Sequence, residues 1–159
     1  MLSYFEAIGH LGRSKQKVCP ELFLPLAQEC ISAGFPSPAD EYTDARINLN
    51  ETLIKNPSST FFLRVSGTSM LGAGIMDGDL LLVDRSLEPY PNRIVVAILD
   101  GAFTVKRLTF YKGEIYLEAE NPNHPKLNLN NYETIQIWGV AIYSIHRLDP
   151  IIQSPWTKL

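Results

Sequence analysis

The sequence has little of several features that would point directly to a function. It contains only two cysteines, Cys19 and Cys30, which form neither a disulfide framework nor a zinc-ligand spacing and therefore favour a reducing compartment. Its net charge of −3 gives no support for a strongly cationic nucleic-acid-binding surface. No apolar stretch reaches the roughly 18 residues of a membrane span, and residues 1–6 do not resemble a signal peptide. We therefore expect a soluble, cytoplasmic protein with no metal site and no cofactor.

The sequence also lacks a recognisable Ser-His-Asp arrangement. The three histidines, His10, His124 and His146, stand in unrelated contexts, which is typical of surface or loop residues rather than catalysts. The Asp-Gly-Asp sequence at 77–79 has two carboxylates that could be taken for metal ligands. Such a sequence before a strand is more typical of a turn, so we predict a turn there.

Short hydrophobic segments separated by turn signals occupy the chain from Thr60 onward. With 45% hydrophobic residues, the chain has the composition of an ordinary globular core. Gly139 is expected to mark a bulge or bend in the final strand region. The pattern predicts a mainly β fold of curved antiparallel sheets. Predicted strands cover residues 61–66, 80–84, 93–99, 102–110, 114–119 and 134–146.

The N-terminal portion is mixed in character. The apolar residues between Glu21 and Ile31 are compatible with a short helix, although Pro25 argues against a long one. Residues 33–40 contain two prolines and a glycine and predict an extended, exposed segment. Residues 44–55 show irregular apolar spacing, and no helix-turn-helix pattern is visible.

Ser69 and Lys106 are the candidate catalytic residues. A serine hydroxyl needs a base to become a good nucleophile, and a neutral lysine can act as that base. Lys106 must then lose charge near neutral pH, and burial lowers the pKa of a lysine from about 10.4. Strand alternation places Thr104, Lys106 and Leu108 on one face. Lys106 therefore has apolar neighbours along and across the strand. Lysines on strands nevertheless usually face water, so the pattern by itself favours the other interpretation, an exposed lysine whose stem covers apolar surface.

The sequence around Ser69 allows a tight turn. Gly67 precedes it and further glycines follow. Such a turn can aim backbone N–H groups, here those of Thr68 and Ser69, at a developing oxyanion. The alternative is a plain junction between a strand and a turn.

Three segments resemble the LexA/UmuD family of self-cleaving Ser-Lys peptidases. They are Val-Ser-Gly-Thr-Ser-Met at 65–70, residues 74–84, and Asp-Gly-Ala-Phe-Thr-Val-Lys-Arg-Leu at 100–108. Residues 118–123 and 138–140 also look like the family, so that the resemblance extends over roughly residues 60–147. It implies a LexA/signal-peptidase-like fold, with Ser69 as nucleophile and Lys106 as general base.

Residues 34–42 resemble the segment that follows the cleavage site in UmuD-type members of the family. The resemblance implies self-cleavage between Ala33 and Gly34. Alanine before the bond departs from the cysteine of the best-known member but fits the family's small-residue pattern. The expected organisation is an arm at 1–33, an extended segment at 34–59, a catalytic domain at 60–147 and a tail at 148–159.

The resemblance also implies partners. RecA on single-stranded DNA would promote the cut during the SOS response, and residues 34–159 would form a homodimer that assists an error-prone, UmuC-like translesion polymerase. Sequence-specific DNA binding and a membrane are not expected. Open alternatives are a LexA-type transcriptional regulator, a non-cleaving interaction subunit, and a signal-peptidase-like enzyme that acts on other proteins.

Overall fold

The computed structural model describes residues 21–26, 33–34 and 45–149. The chain divides into two compact units, Met1–Thr52 and Leu53–Leu159. No helix of the described residues is long and apolar enough to cross a membrane.

The first unit contains a short pair of antiparallel strands. Strand β1 is Leu24–Pro25 and strand β2 is Arg46–Ile47. The prediction of a short helix between Glu21 and Ile31 is therefore wrong for Leu24–Pro25, which form a strand. Residues 27–31 lie outside the described part of the chain. Pro25 has no N–H for a helix interior, and β2 offers this segment a strand partner instead.

Residues 44–55, whose irregular apolar spacing predicts no element, contain both a strand and a helix. After β2 comes a helix, α1, at Leu49–Leu53. Buried Asn48 starts this helix: its Oδ1 accepts a hydrogen bond from Asn50 N (3.1 Å), and its carbonyl accepts one from Thr52 Oγ1 (2.8 Å). Asparagine is a favoured residue at this position because its side chain satisfies an N–H of the first turn.

The second unit is built on one antiparallel sheet of seven strands in the order β3-β4-β9-β5-β6-β7-β8. Its mainly β, antiparallel character confirms the predicted fold class, and the six predicted strands agree with observed strands to within two residues at each end. The strands are β3 Thr60–Arg64, β4 Leu80–Asp84, β5 Ile94–Leu99, β6 Ala102–Tyr111, β7 Glu114–Glu118, β8 Leu127–Asn128 and β9 Ile135–Ile145, with 3-10 turns at Leu71–Ala73 and Leu129–Asn131.

Strand β9 is bent at the predicted position. Its first half pairs with β5, and its second half pairs with β4. Across from β5, Val96 faces Gly139 and Ala97 faces Ile137, so that the register slips by one residue at a bulge. A Cβ on Gly139 would lie 2.7 Å from Val83 Cγ1, which explains why a residue without a side chain stands at the bend.

Two buried clusters form the core, and β5 contributes to both because successive side chains of a strand point to opposite faces. Val96 belongs to the first cluster, with Val65, Met70, Ile75, Leu81 and Val83. Val95 belongs to the second, with Ala97, Leu99, Leu108, Leu117 and Val140. Met70 adjoins Ser69, and Val95 faces Lys106 across the strand pair. The core thus anchors both segments that carry the candidate catalytic residues.

Candidate active site

The turn that carries Ser69 is anchored where β3 ends. Val65 N donates to the Asp79 carbonyl at 2.9 Å, and Gly78 N donates to the Val65 carbonyl at 3.0 Å. Met70, directly after Ser69, is 1% exposed. The half-buried serine therefore stands on a turn that is fixed on both sides.

Asp77 stabilises the start of this turn. Its Oδ1 accepts a hydrogen bond of 2.6 Å from Gly67 N. Gly67 has φ of +97°, a backbone conformation that glycine adopts without the steric cost of a Cβ. Asp77 therefore has the turn role that the sequence predicts for the 77–79 segment.

Asp79 is a buried carboxylate with a similar structural role. It accepts hydrogen bonds from Met76 N (2.9 Å) and Ser144 Oγ (2.8 Å), and it pairs with His146 Nδ1 (2.7 Å). Burial alone would raise the pKa of Asp79, but these hydrogen bonds outweigh it and the pKa is lowered. His146 is thus a contact of this buried carboxylate, a role that its isolated position in the sequence did not indicate. No group of three or more metal-ligating side chains occurs in the described ranges.

Lys106 is buried at the middle of β6. It is 8% exposed, and its cross-strand neighbour Val95 is completely buried. The usual exposure of lysines on strands favoured an exposed Lys106, and that interpretation is wrong. The reason is that Lys106 lies on the face of β6 that takes part in the second buried cluster, with Leu108 on the same face and Val95 across from it. Burial lowers the pKa of Lys106 from its ordinary value of 10.5.

The structure brings Ser69 and Lys106 together. Lys106 Nζ lies 2.8 Å from Ser69 Oγ and donates a hydrogen bond of 2.9 Å to the Val105 carbonyl. The Nζ–Oγ separation is within the 2.6–3.2 Å reach of a general base. A neutral amine that donates to Val105 keeps its lone pair for the serine proton. The arrangement can therefore move a proton from Ser69 to Lys106.

Thr68 and Ser69, the predicted oxyanion-hole residues, also lie on this turn. Within residues 45–149, neither backbone N–H donates to a protein group. The Thr68 carbonyl accepts a hydrogen bond of 2.8 Å from Asn121 Nδ2. Within that range, no protein acceptor competes with a ligand for either N–H.

The loop after β7 contacts the serine turn, which sequence reasoning did not anticipate. Glu120 accepts a hydrogen bond of 2.6 Å from Gly72 N through its carbonyl, and His124 Nε2 lies 3.3 Å from Thr68 Oγ1. The available signal was the family resemblance of residues 118–123, which carried no assigned role. His124 is exposed and on a loop, as predicted; His10 lies outside the described residues.

The predicted cleavage site belongs to the first unit. Ala33 and Gly34 both lie at a bend and are exposed. A Cβ placed on Gly34 would meet nothing within 4 Å. The predicted cleavage site thus lies at an exposed bend of the first unit.

An antiparallel β fold in which a buried lysine contacts a serine on a tight turn has the features of a Ser-Lys peptidase. The family model described as Peptidase S24-like matches residues 25–142. The chain belongs to that family, and the match supports serine peptidase activity in general terms. Membership of the LexA/UmuD group, predicted from the motifs, is confirmed by the relatives.

Three relatives show how far the similarity extends. The chain is 45% identical to Protein ImpA of Salmonella typhimurium over 123 residues, which cover 77% of this chain and 83% of ImpA. It is 44% identical to Protein MucA of Escherichia coli over the same length, covering 84% of MucA. Identity to the LexA repressor of Paracidovorax citrulli is 38% over 122 residues, which cover 54% of that repressor.

Proposed function

We propose that this protein is a UmuD-like peptidase that cuts its own Ala33–Gly34 bond with a Ser69–Lys106 dyad. The observation that carries the proposal is the 2.8 Å contact between Ser69 Oγ and the Nζ of a buried lysine. Burial lowers the pKa of Lys106, so that more of it is neutral at a given pH than of an exposed lysine.

The reaction begins with proton transfer from Ser69 Oγ to neutral Lys106 Nζ. Oγ forms a bond to the Ala33 carbonyl carbon, and the N–H groups of Thr68 and Ser69 stabilise the oxyanion. Protonated Lys106 then gives its proton to the nitrogen of Gly34 as the C–N bond breaks. Ala33 is left as an ester on Ser69.

The ester is removed by water in the second half of the reaction. Lys106 takes a proton from the attacking water, whose oxygen bonds to the Ala33 carbonyl carbon. The ester bond breaks and Ser69 Oγ recovers the proton. The products are residues 1–33 with a new carboxylate, and residues 34–159 with a new amine.

The substrate suits a turn-borne nucleophile. Ala33 and Gly34 are small and exposed, and small residues let a backbone approach a reactive group closely. Because the substrate is part of the same protein, its effective concentration is high whether the arm docks in cis or across a dimer. In this proposal the arm 1–33 is a removable segment, and 34–59, 60–147 and 148–159 are the extended segment, catalytic domain and tail of the product.

The cut changes the protein's partners. A RecA filament on single-stranded DNA promotes it, and the processed homodimer assists an error-prone UmuC-type polymerase in SOS mutagenesis. Support comes from 44–45% identity to ImpA and MucA across more than four fifths of each. A LexA-type regulator is the second candidate, favoured by the 38% identity to a LexA repressor.

Self-cleavage is tested by incubating the purified full chain with RecA, single-stranded DNA and a nucleotide cofactor, and measuring intact mass. We expect loss of residues 1–33 in the wild type and no loss in Ser69→Ala or Lys106→Ala. Ser66→Ala, in the same turn, and Lys112→Ala, on an exposed turn, are matched controls that should cleave normally. Cleavage of Ser69→Ala at the wild-type rate would overturn the mechanism.

The partner assignment is tested with the processed chain and with uncleavable Ser69→Ala. We expect only residues 34–159 to form the polymerase-competent homodimer in a pull-down with a UmuC-type polymerase. Equal binding by Ser69→Ala would instead indicate a non-cleaving interaction subunit. Specific operator binding by the pure chain would support the LexA-type regulator.

A further inference from the structure

The loop after β7 holds the serine turn on both sides of Ser69. On one side, Asn121 Nδ2 donates to the Thr68 carbonyl at 2.8 Å. On the other, Gly72 N donates to the Glu120 carbonyl at 2.6 Å. Two consecutive loop residues thus fix the turn before and after the serine.

Asn121 is itself held in one orientation. Its Oδ1 accepts a hydrogen bond of 3.0 Å from Asn123 N. Because Oδ1 already faces an N–H donor, the other end of the side-chain amide, the NH2 group, must be the one that faces Thr68. The preceding residue is fixed as well, because the Glu120 side chain pairs with Arg107, which also donates to the Asn92 carbonyl at 2.6 Å.

The Thr68 carbonyl and the Ser69 N–H belong to the same peptide group. The described chain has no cis peptide bond, and in a planar trans peptide the C=O and N–H point in opposite directions. A donor that holds the carbonyl on one side therefore aims the N–H to the other side. The Ser69 N–H donates to no group within residues 45–149, so its direction is set by what holds the Thr68 carbonyl.

Asn121 is the stronger of the two donors to that carbonyl. The other is Leu71 N, at 3.4 Å, beyond the usual 2.7–3.2 Å of an N–H···O bond. His124 contacts the Thr68 hydroxyl, which is a side-chain atom outside the Thr68–Ser69 peptide group, so this contact does not hold the peptide plane directly.

We propose that Asn121 is a positioning residue that orients the Thr68–Ser69 peptide so that the Ser69 N–H faces the oxyanion. This inference rests on the proposed self-cleavage at Ser69. Among the described residues, Asn121 makes no hydrogen bond to Ser69 or Lys106; it acts through the peptide plane. Its contribution is to the transition state, where the oxyanion develops, and leaves proton transfer between Ser69 and Lys106 unchanged.

The substitution Asn121→Asp separates this role from a structural one. Aspartate is almost the same shape and keeps Oδ1 for the Asn123 N–H, so the loop turn is retained. It loses the donor to Thr68 and places an oxygen against a carbonyl. Asn123→Asp is the matched control: it adds the same charge two residues away, at an exposed side chain to which no hydrogen bond of the described structure is assigned.

The measurement is the rate of self-cleavage of each full chain against pH, with thermal unfolding alongside. For Asn121→Asp we expect a plateau rate about 100-fold below that of Asn123→Asp, at the lower end of the loss caused by removing an oxyanion donor. The midpoint of the pH profile is compared between Asn121→Ala and the wild type and should be the same in both, because neither adds a charge near Lys106. Asn121→Ala should also lose about 100-fold and provides the test without added charge if the aspartate variant does not fold.

The inference would be overturned if Asn121→Asp cleaved at the plateau rate of Asn123→Asp and Asn121→Ala cleaved at the plateau rate of the wild type. A lost rate in Asn121→Ala with a midpoint shifted away from that of the wild type would also contradict it, because the substitution would then act through Lys106. If the wild type itself fails to cleave, the proposed function fails first; if the wild type cleaves and Ser69→Ala does not, the Asn121 variants test only the inference drawn here.

Discussion

Lys106 Nζ and Ser69 Oγ lie 2.8 Å apart, although 37 positions separate the two residues in the chain. The contact joins the middle of β6 to the turn that follows β3. Each partner is fixed by its own part of the core, Lys106 beside Val95 and Ser69 beside Met70. A contact made between two anchored segments is suited to a reaction that requires a fixed proton path.

Self-cleavage should accelerate as pH rises through the folded pKa of Lys106 and should level off below pH 10.5. The reason is that only neutral Lys106 accepts the serine proton, and burial lowers its pKa from 10.5. The measurement is the first-order rate constant from intact mass at a series of pH values. Lys106→Arg should be inactive throughout, because its guanidinium stays charged. A midpoint at or above 10.5 would contradict the assignment.

Lys106→Met should increase the free energy of unfolding at neutral pH. The variant fills the same space without placing a charge in the core, and burial of the charge is what disfavours the native lysine. The unfolded chain keeps its lysine pKa near 10.5, so wild-type stability rises with pH from the folded pKa up to that value. The advantage of methionine should therefore shrink in the same window.

Urea denaturation at several pH values measures this trend. Lys112→Met removes an exposed lysine and should show no such change. A Lys106→Met protein that is less stable than the wild type at every pH would mean that the buried lysine stabilises the fold.

Asp84→Asn should destabilise the protein by about 2 kcal/mol at neutral pH, the free energy that corresponds to lowering the pKa of this carboxyl from 3.8 to about 2. Burial alone would raise the pKa of Asp84, but hydrogen bonds from Asn56, Ser86 and Ser59 lower it to about 2. This stability is present above the unfolded pKa of 3.8 and is lost as pH falls through the folded value.

The test is denaturation of both proteins between neutral pH and about pH 2. The difference in unfolding free energy should close as the pH falls. Glu133→Gln, at an exposed carboxylate, is the matched control and should show a difference near zero. A gap between wild type and Asp84→Asn that is independent of pH would show that the charge of Asp84 is not what stabilises the fold.

Gly72→Ala should slow self-cleavage at least tenfold. A Cβ at this position would lie 2.7 Å from the Glu120 carbonyl oxygen, a backbone atom that cannot move aside without shifting the loop from the serine turn. Gly113→Ala is the control: its Cβ meets nothing within 4 Å, but its φ of +85° makes the change strained. It should lower the unfolding temperature and leave the cleavage rate unchanged. Equal cleavage rates for the two variants would show that self-cleavage does not depend on the contact between Gly72 and the loop.

The sequence was sufficient for the six longer strands and for the family, because alternation and turn residues are local signals. The two-residue strands β1, β2 and β8 were not predicted, since they are too short to show a pattern. The sequence was also insufficient wherever distant segments decide the outcome. The burial of Lys106 depends on a cluster built from several strands, with Val95, Leu117 and Val140 among its members, which alternation within one strand cannot reveal. Helix α1 was missed because its five residues show no clear periodicity.

The support around Ser69 was the least predictable part of the candidate site. Asn121 and Thr68 are 53 positions apart, and His146 and Asp79 are 67 apart. Neither pair has a local pattern, since each depends on how the loops fold over the sheet. The motif resemblance included residues 118–123 but gave no reason for their presence; the contact with Thr68 supplies a physical one.

The most direct test of the account is the intact mass of the purified protein after incubation at about pH 10, where a larger fraction of lysine is neutral, without any partner. The account predicts a fragment that begins at Gly34 in the wild type, and an unchanged mass for Ser69→Ala and Lys106→Ala under the same conditions. A wild-type chain that stays intact, or a Ser69→Ala chain that yields the same fragment at the same rate, would contradict it.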